Sequence, residues 1–167
     1  NTLVRKKCWN EILQLTLYYY IYLLITKTKN DDSLEIIKNK IKSDQNRLKE
    51  VYEPIVGENL TKSTLKILDD IHNFLDVSSY MISSACLTLR QYIGTSFTMP
   101  SVLALLRLRK DFTKKERDDC AEQCREVLDN YKGDNTNEEH SYFQFMEKEL
   151  KKQEKLEKIL AQSQNDI

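Results

Sequence analysis

The stretch Ser101-Val-Leu-Ala-Leu-Leu-Arg-Leu-Arg-Lys-Asp-Phe112 decides how this chain folds. Its apolar residues Val102, Leu105, Leu106, Leu108 and Phe112 recur at helical spacing. Thr98 stands ahead as an N-cap, and Pro100 falls in the first turn, where a missing N–H costs nothing. Phe97 and Val102 sit where a hydrophobic staple would fix the approach of the chain. Arg109 lies one turn beyond Leu105 and Leu106, at the edge of the apolar face, and its expected partner is an acid on the third helix, Asp69 or Asp76. A short apolar helix cannot stand alone in water. The longer helices are therefore expected to pack around it, with Leu105, Leu106, Arg109 and Phe112 as structural residues.

On the C-terminal side, Thr113-Lys-Lys-Glu116 reads as a capping box that opens a sixth helix running to about Tyr131. Residues 133–137 are a polar loop. A last helix is expected over residues 137–162, where Phe143, Met146, Leu150, Leu156 and Leu160 form a narrow stripe on a charged helix. It would pack on the bundle at its start and project or fray toward its end. On the N-terminal side, a first helix is expected from Thr2 to Thr28. From Ile12 to Ile25 it is apolar or aromatic almost all round, so it is buried on several sides or spans a membrane. The apolar run is about 14 residues, broken by Gln14 and Thr16, where a span needs roughly 20. A buried helix is the expected reading.

Asp32 with Glu35 marks the start of a second helix, with Ile37, Ile41, Leu48, Tyr52 and Ile55 inward. Pro54 should kink or stop its last turn, and Gly57 closes it. Thr61 is the expected cap of the third helix, with Leu60 and Leu65 as a staple and Leu65, Leu68, Ile71, His72 and Leu75 as its inner face. The fourth helix spans Ser79 to Ile93 and ends at Gly94. Its Ser83, Ser84 and Ala85 are small enough for close helix approach. All three glycines thus fall just past expected helices. No strand alternation and no short repeat is present. The fold expected is all-α: an antiparallel bundle or rod segment of about seven helices, with residues 1–132 as the bundle and 133–167 as loop and charged helix.

The chain has 167 residues, three glycines, two prolines, and 26 basic against 26 acidic residues. That length supports one sizeable core. The balance excludes a disordered tail and a generally basic nucleic-acid binder. The absence of an initiator Met and a signal peptide is what a piece of a longer protein would show. Cys8, Cys86, Cys120 and Cys124 have no disulfide-framework spacing and read as reduced thiols.

Chemistry-bearing residues are sparse. His72 lies on a mostly apolar face and reads as a core or boundary histidine, and His140 is far from it in sequence. Cys120 and Cys124 share a helix face, but no further Cys or His stands at metal-site spacing. Asp69-Asp70 and Asp118-Asp119 read as solvated acidic pairs. No phosphate-binding loop, dinucleotide loop or nucleophile elbow is present. No catalytic residue, metal site or cofactor is expected. The strongest charge feature is Arg107, Arg109, Lys110, Lys114, Lys115 and Arg117, with only Asp111 and Glu116 among them. Two readings stay open: surface lysines with one or two structural arginines, or a site for anionic lipid or an acidic partner made by Arg107, Lys110, Lys114, Lys115 and Arg117. Aromatics for base stacking are absent from this run, which argues against nucleic acid.

The stretch Ala104-Leu-Leu-Arg-Leu-Arg-Lys-Asp-Phe-Thr113 resembles the Ala-Leu-Leu-x-Leu-Arg-x-Asp-hydrophobic-Ser/Thr signature near the C-terminus of the exocyst component 3 family, the Sec-six subunit and its M-Sec relatives. Ile41-Lys-Ser-Asp-Gln-Asn-Arg-Leu-Lys-Glu-Val-Tyr52 and Leu65-Lys-Ile-Leu-Asp-Asp-Ile-His-Asn-Phe-Leu-Asp76 resemble the helices that precede it, over roughly residues 8 to 130. Just before the signature, this chain has Gly94-Thr-Ser-Phe97 where many relatives show Tyr-Pro-Asp. The resemblance implies the C-terminal part of a non-catalytic rod of the vesicle-tethering type. Such a rod binds other exocyst subunits, and SNARE proteins are further implied partners. It would be cytoplasmic and peripheral at plasma-membrane sites of secretion, holding secretory vesicles there before SNARE-mediated fusion. Some M-Sec relatives imply a phosphoinositide surface as an alternative partner.

Overall fold

The computed structural model describes residues 2–28 and 33–131 and, beyond these, residues 148, 151, 152 and 155. Among the described residues there are six α-helices and no strand: α1 (Thr2–Lys27), α2 (Leu34–Val56), α3 (Glu58–Asp76), α4 (Ile82–Ile93), α5 (Met99–Leu108) and α6 (Lys114–Asn130). Short 3-10 turns at Ser79–Met81 and Gly94–Ser96 lead into and out of α4. The all-α bundle expected from the sequence is what forms. The expected seventh helix lies outside the described residues, except that Lys148, Lys151, Lys152 and Lys155 are helical and exposed. Gly133 and His140 also lie outside them.

Turn chemistry sets the boundaries. Gly57 and Gly94 take φ of +100° and +83°, values that only glycine adopts without strain, and each closes a helix. At Gly57 the chain passes from α2 directly into α3, so Gly57 is also the N-cap of α3. That corrects the expectation for Thr61. It lies inside the first turn, fully buried, and its hydroxyl donates to the Gly57 carbonyl at 2.9 Å. The cap of α2 is likewise Ser33, whose hydroxyl accepts from the Ile36 N–H at 3.3 Å, while Asp32 lies outside the described residues. Pro54 sits in the last turn of α2, which ends two residues later at Val56.

Cross-helix bonds fix the directions. Gln45 donates to Asp69 at 2.9 Å and Lys38 to Asp76 at 2.6 Å, so α2 and α3 run antiparallel. The Thr16 and Tyr52 hydroxyls meet at 3.2 Å between α1 and α2. Helices α4 and α6 pack through small side chains, with Ala85 and Cys86 on one and Cys120, Ala121 and Cys124 on the other all buried. Helix α5 packs against α1, α3 and α6. Ile21 and Ile25 of α1, Ile71 of α3, Leu89 and Ile93 of α4, and Ser101 and Leu105 of α5 leave a gap of only about 10 Å³ between them. Four helices therefore converge on α5, and its apolar side chains fill the space between them at interior density.

One expectation about α1 is corrected. Leu13, Leu17, Tyr18, Ile21 and Leu24 are buried, but Ile12, Leu15 and Tyr19 on the other side are exposed. The open side is confined to the first part of the helix: from Tyr20 to Thr26 every residue is buried or half-buried, and Tyr20, Tyr22 and Ile25 pack against the core, so burial on several sides holds there. No helix among the described residues is long and apolar enough to cross a membrane.

Candidate functional site: the basic turn between α5 and α6

Helix α5 stops because Arg109 leaves helical geometry, at φ −79° and ψ +71°. The turn that follows is closed by the Lys110 N–H on the Leu108 carbonyl and the Phe112 N–H on the Arg109 carbonyl, at 3.0 and 3.2 Å. It swings Asp111 back onto Arg109. The Arg109 Nε and Nη2 donate to the two Asp111 carboxylate oxygens at 2.9 and 2.8 Å. Nη1 donates to the buried Phe74 carbonyl of α3 at 3.0 Å. The guanidinium also lies 3.7 Å from the centre of the Phe112 ring, within cation–π range.

Arg109 is thus 2 % exposed yet fully engaged. Its partner is Asp111, two residues on, and not Asp69 or Asp76, which are held by Gln45 and Lys38. The expectation failed because it assumed that the helix continues through Arg109, which would point residue 111 away. Burial tends to push the Asp111 carboxyl up, but the Arg109 hydrogen bonds and charge outweigh it and hold the carboxyl below the usual carboxylate range.

Helix α6 begins with the expected capping box. The Glu116 N–H donates to the Thr113 hydroxyl at 3.2 Å, and the Thr113 N–H donates to the Glu116 carboxylate at 2.7 Å. That backbone donor, with the Thr113 side chain second, lowers the Glu116 pKa. Replacing Thr113 by Ala should cost about 1 kcal/mol, read as a lower midpoint in urea unfolding with an unchanged slope. An unchanged midpoint would mean that the box does not hold the turn.

The two acids that interrupt the basic run are therefore both used internally. Arg107, Lys110, Lys114 and Lys115 are exposed around the turn. Arg117 differs from them: it is half-buried, and its Nη1 donates to the Phe112 carbonyl at 2.8 Å and the Arg109 carbonyl at 3.3 Å. The sequence placed it with the binding residues, and the structure places it as a brace under the turn. Leu105, Leu106 and Phe112 are buried as expected.

Elsewhere the chemistry is quiet. Among the described residues, no group of three or more His, Cys, Asp or Glu could hold a metal ion. Cys86, Cys120 and Cys124 are buried free thiols. Contact with Cys86, followed by burial, pushes the Cys124 thiol far up, and burial raises that of Cys120, so both stay protonated. Burial, followed by the Lys42 charge, lowers the His72 pKa, so it is neutral at pH 7. A groove of about 350 Å³ between α1, α3 and α4 is lined by Asn10, Tyr18, Thr64 and Tyr92 among others. Some of its polar groups bond within the protein: the Thr64 hydroxyl donates to Asn10 at 3.3 Å and the Tyr92 hydroxyl to the Ser63 carbonyl at 2.7 Å. Among the described residues the protein is an all-α bundle with a basic turn between α5 and α6. Comparison with protein-family models, curated proteins and solved structures returned no match.

Proposed function

We propose that this chain is a non-catalytic segment of a vesicle-tethering rod of the exocyst component 3 type, which binds other subunits of the complex through its helix faces. One observation carries the reading. Each fixed position of the signature Ala104–Thr113 has a task in the fold that depends on the others. Ala104, Leu105, Leu106 and Leu108 are core, Arg109 pairs with Asp111 and lies over Phe112, and Thr113 caps the next helix. A resemblance of ten residues in leucine-rich sequence is weak support if it rests on leucines alone. It is stronger when the arginine, the acid, the aromatic and the hydroxyl together form one structural unit. The test is affinity purification of the assembled tethering complex from cells carrying the full-length subunit with residues 1–131 deleted. Loss of at least one other subunit from the complex is expected. Recovery of the whole complex would overturn the reading.

A second reading is an anionic membrane surface, favoured by one observation: Asp111 and Glu116 are both engaged within the turn. Each basic residue near an anionic membrane contributes about 1 kcal/mol, and the attraction fades within a Debye length. Weak co-sedimentation with vesicles containing phosphatidylinositol bisphosphate is therefore expected at low salt, nearly vanishing at physiological salt. A Lys110/Lys114/Lys115→Ala variant should lose it, while the basal stability stays near wild type because these lysines are exposed. Tight binding at physiological salt that the variant loses would make lipid the primary partner.

A further inference from the structure

The groove between α1, α3 and α4 keeps polar groups that the fold leaves over. Its volume is about 350 Å³, within the range of about 300–1,000 Å³ usual for ligand sites. Buried Leu17 and Ile67 supply apolar lining, and Leu60 stands with them at 38 % exposure. Three carboxamides join them: Asn10 and Gln14, one turn apart on α1, and Gln91 on α4. The Thr64 hydroxyl donates to Oδ1 of Asn10. Among the described residues, the carboxamides of Gln14 and Gln91 make no hydrogen bond, although Gln14 is half-buried. A half-buried amide costs free energy unless water or a ligand meets it.

The lining rules out several kinds of ligand. Among the described residues, no charged side chain lines the groove. Lys66 and Asp70, close by on α3, hold each other at 2.6 Å. An ion therefore finds no counter-charge there. A sugar or a base stacks on an open aromatic face. Tyr18 is only 7 % exposed, and the Lys66 ammonium lies over the Tyr92 ring, 5.6 Å from its centre.

A peptide backbone does fit. A carboxamide carries the same donor and acceptor as a peptide bond, so it can pair with a backbone C=O and N–H together. Two such groups on different helices can hold successive peptide groups, while the apolar lining takes the side chain between them. We propose that this groove binds an extended, uncharged stretch of a partner polypeptide, with Gln14 and Gln91 pairing to its backbone and Leu17, Leu60 and Ile67 receiving one apolar side chain. This does not depend on either reading above.

The test is NMR on the full 167-residue chain, read at the side-chain NH2 signals of Asn10, Gln14 and Gln91. The probe is N-acetyl-leucine N-methylamide, which carries two peptide groups and one apolar side chain. Those signals should shift and saturate in the millimolar range, as expected of so small a ligand. N-acetyl-leucine methyl ester lacks the second N–H and should bind about fivefold more weakly. A Gln14→Ala/Gln91→Ala variant should weaken the amide by about tenfold. Neither glutamine bonds to the rest of the described fold, so the variant should keep its backbone spectrum. Where it does not, the amide and the ester on wild type decide. Acetate and methyl glucoside should leave the signals in place. The absence of a saturable shift, equal binding of amide and ester, or a folded variant that binds like wild type would each overturn the proposal. Methyl glucoside binding as well as the amide would overturn it in favour of a sugar.

Discussion

Replacing Arg109 by Ala should cost about 3–5 kcal/mol of folding stability, the largest effect expected from any charged residue here. Three interactions end together: the paired hydrogen bonds to Asp111, the bond to the Phe74 carbonyl and the contact with the Phe112 ring. The Phe74 carbonyl dominates the cost, because it is left buried without a donor. Asp111 is 42 % exposed on its side chain and can return to water, so the ion pair itself contributes the smaller share. Asp111→Ala leaves the 2 % exposed guanidinium without its counter-charge, though with its carbonyl and ring partners, and should cost about 3 kcal/mol, the lower end of the same range. Urea unfolding of both single variants and the double variant isolates the coupling. Strict additivity would mean that the pair seen in the turn has no energetic weight. The carboxyl of Asp111 is held below its ordinary pKa, so its contribution is complete above about pH 4 and is lost as pH falls through the lowered value. The gap between wild type and Arg109→Ala should accordingly narrow on acidification.

Leu105→Ala and Leu106→Ala should each cost about 2–5 kcal/mol, with the spread set by how far the surrounding helices can close the cavity. Both leucines are 2 % exposed. Relaxation is expected to be small at Leu105, where Ile21, Ile71, Leu89 and Ile93 from three helices and Phe97 from the turn before α5 already leave only about 10 Å³ among them. A shift of one helix toward the new void would pull it from its other neighbours. Leu105 should thus sit in the upper part of the range. Thermal melting of the two variants measures this, and melting points equal to wild type would remove α5 from the centre of the core.

Local rules read the helices and most of their ends well, because caps, glycine stops and helical spacing act within a few residues. The capping box at Thr113, the stops at Gly57 and Gly94 and the burial of Leu105, Leu106 and Phe112 are of this kind. Thr61 was misplaced because a Thr hydroxyl just ahead of an apolar helical run reads as a side-chain cap, whereas a glycine cap offers no side chain to read. The positive φ that joins α2 to α3 at Gly57 leaves no residues for a separate cap. The partner of Arg109 was hidden for a different reason. It depends on a non-helical turn at Arg109 itself, and helical spacing cannot anticipate where its own rule ends. The open face of α1 was hidden too: a run that is apolar all round does not say which side the neighbours take. The exposed lysines of the basic turn were legible, but the internal work of Asp111, Glu116 and Arg117 was not, since it rests on backbone carbonyls and N–H groups that carry no sequence signal.

The claim at the centre of this account is that the ten-residue α5 and the turn behind it hold the longer helices together. Amide hydrogen exchange tests it most directly. A helix so short has little stability of its own, so its protection can come only from the packing around it. The amides of residues 104–108 should exchange only with global unfolding, as slowly as those of α3, and Arg109→Ala should speed all of them together. Exchange of α5 by local opening, with α1 to α4 still protected, would contradict the account.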